Sequence, residues 1–108
     1  MLEKTKTVHV KIFGVVQGVG FRDYIVSLAL SLALAGWVRN LSDGSVEVLF
    51  NGSDDSINKA IGGFQKGPLN SRVDDVKTNV IDPLGDGGSF PSAEFNIISD
   101  FIVDDFVP

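Results

Sequence analysis

The stretch that decides the fold covers residues 7–52 and reads TVHVKIFGVVQGVGFRDYIVSLALSLALAGWVRNLSDGSVEVLFNG. Residues 7–13 alternate apolar and polar side chains, which is typical of a half-buried strand. Three glycines within residues 14–20 indicate a loop, because glycine weakens the interior of a strand or helix. Residues 21–34 contain neither Gly nor Pro and repeat apolar side chains at helical spacing, so a helix is predicted to begin where the loop ends.

The rest of the chain continues the alternation of strands and helices. A hairpin is predicted after the first helix, with strands at 36–41 and 46–50 joined by a turn at 42–45 that has the Asp-Gly pair hairpins prefer. A second helix is predicted from the N-cap Ser53 to Gly67-Pro68. Two further strands are predicted at 73–82 and 93–97. This order is that of a split βαββαβ unit. The predicted fold class is therefore α+β: a ferredoxin-like sandwich with an antiparallel four- to five-stranded sheet and two helices on one face.

Composition restricts the classes of function. The chain has 108 residues, of which 44% are hydrophobic, and this suits one domain. It contains no cysteine, which excludes disulfides and thiolate catalysis, and its single histidine, His9, is expected to face solvent from a strand. No metal site and no cofactor are predicted.

Charge and hydropathy patterning bear on partners and location. The net charge of −5 and the acidic pI near 4.6 disfavour binding to nucleic acid. Residues 1–7 lack the apolar core of a signal peptide, and serines and a glycine interrupt the apolar run at 25–38, so no membrane span is expected. We expect a cytoplasmic protein, and its size and charge favour a monomer.

The glycine loop is a candidate anion site. Backbone N–H groups of such a turn can converge into a nest, and the helix N-terminus behind it adds unpaired donors and partial positive charge. The expected phosphate-binding residues are Val16, Gln17, Gly18, Val19, Gly20 and Phe21. Arg22, just inside the helix, can place its planar guanidinium over the same anion. Without further evidence, the same pattern also fits a simple tight connection, and it is neither a Walker loop nor a dinucleotide fingerprint.

Asn40 is the second candidate. In a split βαββαβ fold the strand that carries it lies in the same sheet as the first strand, so its carboxamide is placed to approach the mouth of the loop. An amide accepts a hydrogen bond from water without cancelling the charge that binds phosphate. An asparagine before a hairpin turn also fits ordinary turn chemistry.

Residues 14–22, GVVQGVGFR, and 36–40, GWVRN, together with DGSV at 43–46 and Gly52, closely resemble the two signature motifs of acylphosphatases. The resemblance covers residues 8–99 and leaves 1–7 and 100–108 as terminal extensions. It implies hydrolysis of a small acyl phosphate to a carboxylate and inorganic phosphate, without a metal or a covalent intermediate. In the family's pattern Arg22 and the amides of 16–21 hold the phosphoryl group, and Asn40 orients the attacking water.

One departure from the family concerns the helix end, where many members carry glycine and this chain has Leu32-Ala33-Leu34-Ala35. Two other functions stay open. One is a non-catalytic or carbamoyl-phosphate-binding module, as found fused to carbamoyl-transferring maturation enzymes; the chain's length and lack of cysteines favour a free-standing enzyme instead. The other is a ferredoxin-like RNA-binding or regulatory domain, against which the acidic balance argues. The acyl group of the natural substrate is not readable from these motifs.

Overall fold

The computed structural model describes residues 5–82 and 95–98. The elements are β1 (Thr5–Val15), α1 (Phe21–Ser31), β2 (Ala35–Asn40), β3 (Val46–Ser53), α2 (Asp54–Lys66), β4 (Arg72–Asp82) and β5 (Phe95–Ile97). The predicted ferredoxin-like α+β fold is confirmed. The predicted loop at 84–91, the beginning of the fifth strand at 93–94 and the tail from residue 99 lie outside the described residues.

The sheet has the strand order β4-β1-β3-β2-β5. The first four strands pair antiparallel, as predicted, with β1 hydrogen-bonded to both β3 and β4. The fifth strand differs, since β5 pairs parallel with β2, in a register that places Ile97 opposite Val38. The sheet is therefore mixed rather than wholly antiparallel.

The core lies between the sheet and the two helices. Val8, Val10 and Ile12 of β1 are buried together, as their alternation predicts. They join a cluster of apolar side chains from the neighbouring strands and from both helices, including Val38, Val46, Val48, Phe50, Ile25, Ala29, Ile57, Ala60 and Phe64. This packing fixes the start of α1 and the end of β2 relative to each other, because both belong to the same core.

The two helix termini show different capping. At the start of α2 the Ser53 hydroxyl accepts a hydrogen bond from the Ser56 amide at 3.2 Å, so the predicted N-cap is confirmed.

Helix α1 ends at Ser31, three residues before the predicted end at Leu34. The reason is a Schellman motif, in which the Leu34 amide bonds the Ala29 carbonyl at 2.9 Å and the Ala33 amide bonds the Leu30 carbonyl at 3.2 Å. No described helix has the length and apolar character to cross a bilayer.

Ala33 occupies the motif's left-handed position, with φ of 57°. Because an L side chain pays about 1–2 kcal/mol there and glycine does not, we expect Ala33→Gly to raise the free energy of unfolding. The greater freedom of glycine in the unfolded chain offsets part of the gain, which leaves about 0.5–1 kcal/mol. Urea unfolding measures the change. Ser27→Gly, at an exposed position inside α1, is the control and should destabilise by a similar amount; a loss of stability in Ala33→Gly would contradict the prediction.

Candidate active site

Arg22 and Asn40 line one pocket, of about 100 Å³, between the glycine loop, the start of α1 and the end of β2. The described residues that line it are Val16, Gly18, Gly20, Phe21, Arg22, Asp23, Asn40 and Ile97. The two side chains that the sequence singles out thus share a concavity. Arg22 is half-buried there, while Val16 and Phe21 are only 1% exposed and anchor the loop in the core.

The loop presents its backbone to the pocket. Gly18 and Gly20 have φ of 73° and 77°, and neither has a neighbour within 4 Å of the place where a Cβ would lie. Among the turn and loop hydrogen bonds that join backbone groups of the described residues, none is donated by the amides of residues 18–20. Left-handed glycines whose amides make no such bond are typical of an anion-binding nest.

The start of α1 adds to this set of donors. Gly20 is its N-cap and brings no side chain, so the first amides of the helix receive no side-chain cap. An uncapped helix N-terminus has unpaired N–H groups and a partial positive charge. The pocket therefore combines three features that favour an anion: the loop amides, the helix terminus and the Arg22 guanidinium.

Gln17 and Val19 are the two predicted phosphate-binding residues that do not line the pocket. Val19 packs against the core. The Gln17 side-chain amide donates to the carbonyls of Leu41 and Ser45, at 2.7 Å and 2.8 Å. These bonds attach the glycine loop to the β2–β3 turn. The Gln17 side chain, which is predicted from the sequence to bind the anion, therefore binds the turn in this structure.

Asn40 is the last residue of β2 and pairs with Val46 across the hairpin. Its backbone position is fixed further by the Leu41 amide, which bonds the Ser45 carbonyl at 2.9 Å. The carboxamide oxygen Oδ1 is buried and has no hydrogen-bond partner within the part of the chain that the structure describes. Because an unsatisfied buried acceptor carries a desolvation cost, this atom is set to receive a donor from a molecule bound in the pocket.

The turn after Asn40 is tightly held. Asp43 accepts hydrogen bonds from the Ser45 hydroxyl and from the Ser45 amide, the latter at 3.0 Å, and Lys11 lies 3.1 Å from its carboxylate. The Ser45 hydroxyl and these further donors outweigh the opposing effect of burial and lower the pKa of Asp43 to about 2. The carboxylate therefore keeps the turn closed at neutral pH.

The neighbouring motif residue Arg39 belongs to the other face of the sheet. Its guanidinium bonds Glu47 at 2.6 Å and lies over the Trp37 ring. His9, expected to face solvent, is half-buried and lies 2.8 Å from the same carboxylate. Burial alone would raise the pKa of Glu47, but the bonds from His9 and Arg39 hold it below its ordinary value. The described residues contain no group of three or more potential metal ligands.

Two of the described pocket residues were not predicted. Asp23 follows Arg22 in the first turn of α1 and lines the pocket. The predicted start of the helix already places Asp23 next to Arg22, but no role for it is predicted from the sequence. Ile97 reaches the pocket from β5 through the pairing of β5 with β2. No local signal in the sequence reveals that pairing.

Comparisons with known proteins agree with the fold. The family model described as Acylphosphatase matches residues 8–92. An acylphosphatase of Rhodospirillum rubrum is 43% identical over 76 residues, which are 70% of this chain and 84% of that protein. The solved structure of an acylphosphatase from Coxiella burnetii superposes with a TM-score of 0.77 at 34% identity, covering 88% of this chain and 94% of that one. Full-length HypF in a phosphate- and nucleotide-bound form contains a similar unit, with a TM-score of 0.84 at 26% identity over 14% of its chain.

Proposed function

The chain belongs to the acylphosphatase family, and from that premise we propose how its pocket hydrolyses acyl phosphates. The protein is an acylphosphatase, which cleaves the carboxyl–phosphate bond to a carboxylate and inorganic phosphate. We infer that Arg22 and the loop amides hold the phosphoryl group and that Asn40 orients the attacking water. The observation that carries this proposal is the buried, unpartnered Asn40 Oδ1 in the pocket that Arg22 also lines.

The phosphoryl group binds through charge and fixed donors. The amides of residues 16–21 and the α1 N-terminus supply hydrogen-bond donors that need no reorganisation, because the backbone already has its left-handed turns at Gly18 and Gly20. The Arg22 guanidinium engages two phosphoryl oxygens at once. These donors stabilise the negative charge that the equatorial oxygens carry in the transition state.

Asn40 acts on the nucleophile. Its Oδ1 accepts a hydrogen bond from a water molecule and thereby directs an oxygen lone pair of that water toward phosphorus. An uncharged carboxamide suits this role, since a carboxylate would repel the dianion. The hairpin and the closed Ser42–Ser45 turn hold the group in position, and little motion is needed when substrate binds.

The reaction balances without a protein acid. Water attacks phosphorus, the bond between phosphorus and the acyl oxygen breaks, and both protons of the water stay with the phosphate product. An acyl phosphate dianion and water thus give a carboxylate and dihydrogen phosphate. Since a carboxylic acid has a pKa near 4, the leaving oxygen departs unprotonated at neutral pH.

Hydrolysis of benzoyl phosphate in ¹⁸O-water, with a chelator present, tests the proposal. We expect benzoate and phosphate in equal amounts, competitive inhibition by inorganic phosphate, and one ¹⁸O atom in the phosphate. Label in the benzoate would show attack at the carbonyl carbon and would contradict the assigned roles. Absence of hydrolysis would overturn the enzyme assignment itself.

The likeness to a unit of HypF, whose solved structure holds phosphate, supports a second candidate, a phosphate-binding module. Carbamoyl phosphate is the ligand that the family resemblance leaves open for such a module. The same assay separates the two. A module that only binds would show saturable binding of phosphate without release of benzoate. Turnover of benzoyl phosphate together with slow turnover of carbamoyl phosphate favours the acylphosphatase over the binding module.

Gln17 is expected to act on the reaction through the position of the loop. Gln17→Leu removes both hydrogen bonds to the β2–β3 turn, and displacement of the loop amides by an ångström should lower kcat/KM about 10–100-fold. Loss of two bonds should also cost about 1–3 kcal/mol of stability. Steady-state kinetics and urea unfolding measure the two effects. Gln65→Leu, at an exposed position on α2, is the matched control; unchanged kinetics in Gln17→Leu would contradict this role.

The proposal extends to partners and location. We infer that the protein acts as a monomer without nucleic acid, supported by its size of 108 residues and by its net charge of −5. Light scattering coupled to size-exclusion chromatography tests the first inference, and titration with single-stranded RNA tests the second. A cytoplasmic location is part of the same proposal and is tested by cell fractionation.

A further inference from the structure

We propose that Asp23 makes the enzyme select against acyl phosphates whose acyl group carries a negative charge. The inference rests on the proposed function and concerns the part of the substrate that the roles of Arg22 and Asn40 leave unread. It follows from the charges and exposure of the described residues that line the pocket.

The described residues that line the pocket offer an additional anion no cationic partner. Among the described lining residues Arg22 is the sole cation, and the proposed function assigns its guanidinium to the phosphoryl group. The backbone donors of the loop and helix start face that same group. A carboxylate on the acyl chain would therefore enter the pocket without an opposite charge to meet it, and the cost of removing it from water would go uncompensated.

Asp23 adds repulsion to that cost. It is exposed, lies in the first turn of α1, and lines the pocket beside Arg22. In-line attack places the leaving acyl oxygen opposite the water that Asn40 holds, so the acyl group points away from β2. The apolar Ile97, 42% exposed, lies on the strand side with Asn40. Asp23, on the helix side, is the remaining charged residue of the described lining and is left to face the acyl group.

The expected effect is modest and specific. A screened interaction between charges near the protein surface corresponds to about threefold to fivefold in a rate ratio. It should act on kcat/KM for anionic acyl groups relative to neutral ones. Any effect of Asp23 on the shared phosphoryl group cancels when the two substrates are compared in the same variant.

The experiment compares benzoyl phosphate with 4-carboxybenzoyl phosphate, which differ by one carboxylate. We expect the parent to prefer benzoyl phosphate in kcat/KM, and Asp23→Asn to reduce that preference about threefold to fivefold at low salt. The reduction should shrink at high ionic strength, since salt screens exposed charges. Asp55→Asn removes the same charge from the first turn of α2, also at an exposed position, and should leave the ratio unchanged.

Each outcome discriminates. The quantity compared is the ratio of kcat/KM for benzoyl phosphate to kcat/KM for 4-carboxybenzoyl phosphate. If this ratio is equal in the parent and in Asp23→Asn, the selectivity is overturned while the hydrolase function stays intact. A ratio that changes equally in Asp55→Asn also overturns it, because the effect would then come from net charge and not from the pocket. A parent that hydrolyses neither substrate overturns the proposed function together with this inference. A ratio that shifts only in Asp23→Asn and loses its shift in salt supports the assignment.

Discussion

Replacement of Arg22 by glutamine is expected to lower kcat/KM for benzoyl phosphate by about 10³–10⁵, the range found for arginines that stabilise phosphoryl transfer. Glutamine keeps much of the side chain's length but removes the charge and the planar pair of donors. The loop amides and the α1 N-terminus remain, so residual binding of phosphate should persist. The loss should appear in kcat as well as in KM, because the guanidinium contributes most where oxygens gain charge.

Arg22→Lys gives a sharper comparison. It retains the charge but not the fork that engages two oxygens, so activity should stay well below that of the parent. Arg72→Gln, at an exposed arginine that pairs with Asp74 and is absent from the pocket lining, is the matched control and should retain full kcat/KM. Steady-state kinetics and calorimetric titration with phosphate measure both quantities. Parent-like kcat in Arg22→Gln would remove the guanidinium from the mechanism.

Much of the fold was predictable because it depends on local patterns. The alternation in β1, the glycine loop, the apolar stretch of α1 and the Asp-Gly turn each predict one element, and their order leaves few topologies. The direction of β5 was not predictable. Its residues, Phe95–Ile97, have a period of two that suits a parallel or an antiparallel neighbour equally.

The end of α1 shows a different limit. The apolar pattern continues through Leu34, whose side chain is buried, yet the helix ends at Ser31. Hydrophobic periodicity indicates which side chains reach the core. It does not distinguish a further helical turn from a Schellman motif that buries the same residue. Glycine would have marked the stop; Ala33 adopts the same left-handed conformation without that signal.

The site itself divides in the same way. The shared pocket of Arg22 and Asn40 was predictable, because the loop, helix and hairpin bring the two residues together wherever this topology forms. The direction of the Gln17 side chain was not, because it depends on two carbonyls, of Leu41 and Ser45, that local sequence does not connect to the loop. Asp23 was visible in the sequence, but its place in the pocket depends on the orientation of the first turn of α1.

Asn40→Ala is expected to reduce kcat by about 10²–10³, the usual cost of losing one group aimed at the reacting atoms. Phosphate affinity should stay near that of the parent, because the loop amides and Arg22 are untouched. Stability should not fall, since Oδ1 makes no hydrogen bond to the described residues and its removal relieves an unsatisfied buried acceptor. Kinetics, calorimetric titration with phosphate and urea unfolding give the three readouts.

The combination of readouts separates a role in positioning water from a structural one. If Asn40 merely supported the turn, its loss would lower stability and phosphate affinity along with kcat. Asn40→Asp, nearly identical in shape, should lose phosphate affinity as well as turnover, because its charge opposes the dianion. Asn58→Ala, at an exposed position on α2, should change none of the three quantities. Full kcat in Asn40→Ala would mean that the water is oriented by another group, and the buried oxygen would then have no part in the reaction.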